Sequence, residues 1–313
     1  MLLAGLLTIL FGANWLVDGS SSIAKKTGLS EFVIGLTIVG IGTSSPEMVV
    51  SFISSFQGKA DMAIGNIVGS NIFNTMIILG ITALISPLLI TKANLKRDIP
   101  LNIAVTSLLI ILGLKHTIFG IGSDEISRID GCILLMIFIL YMWRSFKTGS
   151  TNESEEEGGI KMYSNWMSAL LVVAGLASLI IGGKMFVNST TAIAEHFHLS
   201  ERFIAITVMA AGTSLPELAT CVVAALKGRG QLALGNILGS NISNILLILG
   251  GASLINPLSF GGMSPIDLGV IMASAIFILT SAFTFRRRTI DRFEGVILLA
   301  LFAAYFTWLL LGA

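Results

Sequence analysis

The sequence predicts an all-α integral membrane protein of ten transmembrane helices, built as two inverted-topology five-helix repeats. Three observations carry that expectation. The chain of 313 residues is 54% hydrophobic and only 12% charged, with a mean hydropathy of +0.89, whereas a soluble domain carries about 25% charged residues. Its apolar runs are about 20 residues long, the length of a membrane-spanning helix, rather than the roughly ten-residue alternating segments of a membrane barrel. The second half of the chain repeats the first in constant register.

Taken in order, the expected spans are 2–23, 31–56, 62–86, 99–115 and 126–146, then 166–193, 201–226, 232–256, 266–285 and 290–311. The first run lacks a basic n-region and reads as a span rather than a cleaved signal peptide. Residues 147–165 contain TGSTNESEEEGG, the one stretch both charged and poor in apolar residues. Such a segment buries too little surface to offset its ordering entropy and reads as a linker. The domain expectation is therefore a first repeat at 1–146, a hydrophilic linker at 147–165 and a second repeat at 166–313. Cys132 and Cys221 fall inside apolar spans and read as small hydrophobes, with no disulfide or metal-thiolate spacing.

The register of the repeat is an offset of 170, which relates Pro46 to Pro216, Glu47 to Glu217, Ser70 to Ser240, Asn74 to Asn244, Gly80 to Gly250 and Pro87 to Pro257. LSE at Leu29 returns at Leu199, and GNIVGSNIFN from Gly65 returns as GNILGSNISN from Gly235. Five spans per copy make the second copy enter the membrane from the opposite side. Cytoplasmic loops collect lysine and arginine. With both termini outside, fourteen of the 19 lie inside, including Lys25, Lys26, Lys96, Arg97, Lys227, Arg229, Arg286, Arg287 and Arg288, while Lys59, Lys115, Arg128 and Arg202 lie outside. The linker is then cytoplasmic. Inverted repeats of this kind characterise transporters that alternate access around a site near the bilayer midplane.

The chemistry is concentrated in GTSSPE, Gly42 to Glu47, and GTSLPE, Gly212 to Glu217. A carboxylate buried in a span is costly and marks a functional site by default. Thr43 and Glu47, four apart, share a helical face with Ser44 beside them. Pro46 lacks an N–H, so a carbonyl near Gly42 is expected to be freed, and a cation lining the break is one partner for it. The second copy supplies Thr213, Ser214 and Glu217 around Pro216. Asn66, Ser70 and Asn74, with Asn236, Ser240 and Asn244, add two stripes of neutral oxygen ligands, each beside a GxxxG pair, Gly65 with Gly69 and Gly235 with Gly239, that allows close helix approach.

Every donor in this set is a hard oxygen, which suits calcium and sodium and excludes thiolate or imidazole sites. The blander readings are serine and threonine bonded to their own backbone, GxxxG as plain packing, proline as a kink and glutamate as a protonated interhelical partner. Duplication in register of acid, hydroxyl and amide faces together favours a cation site. Asp18, whose copy is Asn188, reads as a helix-end or water-facing group, and His116, His196 and His198 read as surface residues. No histidine or nucleophile–base pair lies within the spans, so neither an enzyme nor a cofactor is expected. The net charge of +1 implies no nucleic-acid partner; the lipid bilayer is the expected surrounding, with no obligate protein partner.

These motifs resemble the two alpha-repeats of the cation/calcium antiporter superfamily, within it the prokaryotic sodium/calcium exchangers, over nearly the whole chain. The resemblance implies a four-helix core from the second, third, seventh and eighth spans, across which the first and sixth slide. It implies Glu47 and Glu217 as the main calcium ligands. Thr43, Ser44, Thr213 and Ser214 match sodium and calcium ligands, Ser70 and Ser240 match flanking sodium-site residues, and Gly40 and Ala210 match residues that lend backbone carbonyls. The family commonly has aspartate at one or both of the positions matching Asn74 and Asn244, and here both are asparagine. The expected function is exchange of sodium for calcium across the cell membrane, with calcium extruded by inward sodium. A proton/calcium antiporter, a cation channel and a membrane scaffold remain the alternatives.

Overall fold

The computed structural model describes residues 1–149, 161–196, 210–284 and 286–312. Most of the linker, the start of the expected seventh span at 201–209, His198 and Arg202 lie outside the described residues. The helices are α1 (Leu2–Thr27), α2 (Glu31–Thr43), α3 (Ser45–Phe56), α4 (Ala60–Ile85), α5 (Ile99–Gly113), α6 (Lys115–Phe119), α7 (Arg128–Thr148), α8 (Asn165–His196), α9 (Ala210–Thr213), α10 (Leu215–Leu226), α11 (Gly230–Ile255), α12 (Pro265–Ser281) and α13 (Arg292–Gly312). Among the described residues six helices are long and apolar enough to cross a membrane; α2 with α3, bent by 48°, makes a seventh, while α10 and α12 are shorter apolar helices. Large apolar side chains on α1, α7, α8 and α13 are exposed, among them Phe11, Ile139, Val173 and Leu311, as lipid-facing positions require.

The chain divides into two compact units, each drawing on both sequence halves: Met1–Pro46 with Phe146–Gly239, and Glu47–Ser145 with Ser240–Ala313. In the first unit α1 and α8 run antiparallel along a seam of small residues spaced by seven. A Cβ at Gly12 would lie 2.9 Å from the Gly175 carbonyl, one at Gly182 would lie 2.9 Å from the Gly5 carbonyl, and one at Gly19 would lie 2.9 Å from the Ser168 carbonyl. Backbones this close gain dispersion along the whole length, which in lipid replaces the hydrophobic drive between helices. Helix α1 stops at Gly28, φ 69°, with Lys25 and Lys26 in its last turn, where cations offset the helix dipole. Ser30 caps α2, its hydroxyl accepting from Val33 N. Asp18 lies within α1, nine residues before its last residue Thr27, and is paired there, with Lys227 Nζ 2.7 Å from its Oδ1.

Helix α2 crosses the first half of α11 at glycine. A Cβ on Gly35 would meet the Leu232 carbonyl, and Cβ atoms on Gly235 and Gly239 would meet the carbonyls of Phe32 and Leu36. The second GxxxG therefore serves close approach as expected. Around Gly65 and Gly69 nothing lies within 4 Å among the described residues, and positions 202 and 206, which correspond to Phe32 and Leu36, lie outside them.

In the second unit the connections exchange between halves. Two short antiparallel ribbons pair β1 (Leu88–Leu89) with β4 (Thr289–Ile290), and β2 (Glu125–Ile126) with β3 (Leu258–Ser259). Each joins the strand that follows the third span of one half to the strand that precedes the fifth span of the other. The same exchange holds in packing: Gly80 of α4 faces Gly295 of α13, and Gly250 of α11 faces Gly131 of α7. Both α4 and α11 contain a π-helical turn, Asn74–Ile78 and Asn244–Leu249, each beginning at the asparagine that ends the polar stripe. Such turns insert one residue into the ladder and recur at functional sites.

Candidate cation site

Each GTS motif ends a helix at a single non-helical serine. Ser44, φ −76° and ψ 9°, separates α2 from α3, and Ser214, φ −90° and ψ 8°, separates α9 from α10. The prolines two residues later occupy the first turn of the following helix, where a missing N–H costs nothing. The break therefore places two hydroxyls just ahead of the carboxylate, and the carboxylate in the positive first turn of a new helix.

In the first unit the two motifs meet. Ser44 Oγ donates to Glu217 Oε1 at 3.0 Å, and Thr43 Oγ1 lies 3.2 Å from Asn236 Oδ1 and 3.0 Å from the Val39 carbonyl. Thr43, Ser44, Ser214, Glu217 and Asn236 are all buried, Glu217 to 1% exposure, and Glu217 Oε2 has no hydrogen-bond partner among the described residues. The Gly40 carbonyl receives the Ser44 N–H at 3.2 Å. Ala210 and Thr213 both lie on the described part of α9, which Thr213 ends. Near the Pro46 break, where a freed carbonyl is expected, Ser45 Oγ donates to the Gly42 carbonyl at 2.6 Å and occupies one of its two acceptor positions. Its counterpart Leu215 has no hydroxyl to do the same.

In the second unit Glu47 is 1% exposed at the start of α3. Asn66 is not directed along the stripe with Ser70 and Asn74: its Nδ2 donates to the Glu47 carbonyl at 3.2 Å and to Ser51 Oγ at 3.0 Å, tying α4 to α3. Ser70, Asn74, Ser240 and Asn244 are buried, and the last turns of the two stripes are joined by amide hydrogen bonds through Asn71 and Asn241. Sequence reasoning missed both residues, although their 170 offset marks them as a pair. Among the described residues no three histidine, cysteine, aspartate or glutamate side chains gather as a metal cluster. The buried groups beside Glu47 and Glu217 on these motifs are hydroxyls and amides, and hard oxygens of that kind suit sodium and calcium.

Cys221 is more than a small hydrophobe. Asn236 Nδ2 donates to its Sγ at 3.3 Å, and Sγ lies 3.7 Å from the Ala233 carbonyl. Ser51, Asn66 and Ala63 form the same arrangement in the other copy. Cys221→Ser is therefore expected to fold with unchanged thermal stability, whereas Cys221→Val, which removes the acceptor, costs about 1–3 kcal/mol, read as a lower melting temperature in detergent.

The sequence profile of the sodium/calcium exchanger protein family matches residues 1–147 and 167–311, nearly the whole chain. This chain belongs to that family. The exchanger family is a class of transporters, not of enzymes. The exchanger chain is 34% identical over 348 aligned residues to the sodium/calcium exchanger MaX1 of Methanosarcina acetivorans, covering 97% of this chain and 96% of that protein. It is 34% identical to the inner membrane protein YrbG of Escherichia coli, covering 89% and 87%. Its fold superposes on a solved structure of the sodium-calcium exchanger NCX_Mj, soaked with 2.5 mM Na+ and 0.1 mM Ca2+, with a TM-score of 0.84, 32% identity and coverage of 97% and 96%.

Proposed function

We propose that this exchanger is a secondary active antiporter of the cell membrane that exchanges sodium for calcium by alternating access, extruding calcium with inward sodium. The observation that carries the reading is the Ser44 hydroxyl on Glu217 Oε1, 3.0 Å apart, which joins the hydroxyls of one motif to the carboxylate of its copy in a buried position. Family membership, and relatives named for sodium/calcium exchange, support the choice of ions. The transported ions are Ca2+ and Na+, and their proposed ligands are Glu47 and Glu217, with Thr43, Ser44, Thr213, Ser214, Ser70, Ser240, Asn74, Asn244 and the carbonyls of Gly40 and Ala210. No cofactor and no protein partner enters this scheme.

Cation binding neutralises the buried carboxylates. Empty, they resist occlusion under an apolar surface, because a charge taken from water without a partner is costly. The scheme uses ten spans in two inverted five-helix halves, 1–146 and 166–313, with both termini outside and the 147–165 linker cytoplasmic. The exchanged ribbons and glycine crossings support two equivalent halves, and the α1–α8 seam supports these helices moving as one body.

The test is calcium uptake into sodium-loaded proteoliposomes diluted into sodium-free buffer. Uptake that requires the sodium gradient is the expected result. Uptake that follows an imposed pH gradient and ignores sodium would establish a proton/calcium antiporter instead.

A further inference from the structure

Asn71 and Asn241 stand one residue after Ser70 and Ser240 and have no part in the ligand set above, yet each is 2% exposed and fully engaged. Four asparagines form a crossed set between α4 and α11. Asn244 Nδ2 donates to Asn71 Oδ1 at 2.9 Å, and Asn74 Nδ2 donates to Asn241 Oδ1 at 3.2 Å. Asn71 Nδ2 donates to the Asn241 main-chain carbonyl at 3.1 Å, and Asn241 Nδ2 donates to Thr75 Oγ1 at 2.9 Å. A main-chain carbonyl only accepts, so the Asn71 amide is fixed with its nitrogen on that carbonyl and its oxygen toward Asn244.

The consequence falls on Asn74 and Asn244. Their nitrogens are spent on Asn241 and Asn71, while their Oδ1 atoms, equally buried, accept no hydrogen bond among the described residues. Buried acceptors normally have a partner, and here two lack one at positions related by the repeat. An asparagine side chain has nearly the same shape with its two ends exchanged, but one end repels a cation and the other ligates it. Orientation decides whether an amide serves as a ligand, and an aspartate, with oxygen at both ends, has no such need.

We propose that Asn71 and Asn241 are positioning residues for the transported cation: each accepts the side-chain nitrogen of an asparagine on the opposite helix, Asn244 and Asn74 respectively, and so turns that asparagine's carbonyl oxygen to the ion. The inference deepens the antiporter reading and rests on it for the identity of the ion.

The pairing is crossed, and that makes it testable by selective rescue. In sodium-loaded proteoliposomes, Asn71→Leu and Asn241→Leu are expected to raise the apparent KM for calcium about 10–100-fold, the usual cost of losing a residue that orients a metal ligand, with a smaller change in maximal rate. Asn244→Asp, which needs no orientation, restores in the Asn71→Leu background the KM of Asn244→Asp alone, and Asn74→Asp does not. Asn74→Asp in turn rescues Asn241→Leu and not Asn71→Leu. Leucine variants with wild-type KM, or rescue by either aspartate without selectivity, would overturn the proposal. Should the leucine variants not assemble, Asn71→Ser and Asn241→Ser, whose short hydroxyls do not reach the partner amides, carry the same crosses. Calcium-induced thermal stabilisation of the detergent-solubilised chain reads the same pattern without transport. A wild type that binds calcium but does not exchange it for sodium would remove the antiporter reading, and the selectivity of rescue in binding would still decide this one.

Discussion

Glu217→Gln is expected to lower sodium-driven calcium uptake at least about 100-fold, since calcium affinity is set largely by the number of charged oxygen ligands. Glu217 is 1% exposed, lies in the first turn of α10 and accepts from Ser44 on Oε1, while Oε2 has no hydrogen-bond partner among the described residues. Glutamine keeps the shape, so Ser44 keeps an acceptor. It removes the charge and puts an NH2 donor at one of the two ligand positions. Because a buried carboxylate is costly to hold without a counter-charge, the same substitution is expected to leave the melting temperature in detergent unchanged or raised. Lost transport with undiminished stability is the signature of an ion ligand. Lost transport with lost stability would assign Glu217 a structural role instead.

The second large effect is on folding. Gly35→Leu is expected to cost about 1–3 kcal/mol or more, the range for overpacking a close contact, and to leave little monodisperse protein in size-exclusion chromatography. The added Cβ would fall on the Leu232 carbonyl and lie 3.1 Å from Asn236 N, and both neighbours are helix backbone that cannot rotate away. Helix α2 must then withdraw from α11, which separates Thr43 from Asn236. Gly28→Asn provides the contrast. Gly28 is also a glycine, at φ 69°, but among the described residues nothing lies within 4 Å of its Cβ position, and asparagine tolerates the left-handed region. That variant is expected to fold and transport nearly as wild type.

The two motifs with their acids, the helical membrane character and the duplication were legible in the sequence, because burial of a carboxylate in an apolar run and a constant 170 offset both leave one-dimensional traces. The side-chain pairings were not. Asn66 belongs to the periodic stripe but turns to the Glu47 carbonyl, and Ser45, one residue before Pro46, turns its hydroxyl to the Gly42 carbonyl. Periodicity assigns a face to a residue without saying which neighbour on that face accepts its proton. The π-helical turns that begin at Asn74 and Asn244 also shift the face by one residue, so i, i+4 counting fails beyond them. The α1–α8 seam did leave a trace, in the seven-residue spacing of Gly5, Gly12 and Gly19 and of Ser168, Gly175 and Gly182, which a search for small residues at heptad spacing would find.

Obligatory exchange is read from sodium efflux and calcium influx followed together, with both isotopes, in the same sodium-loaded vesicles. Antiport predicts that sodium leaves only while calcium enters, in a fixed ratio at every calcium concentration, and that both fluxes vanish in Glu47→Gln. Sodium that leaves at the same rate into calcium-free buffer would contradict the account and establish a cation channel in its place.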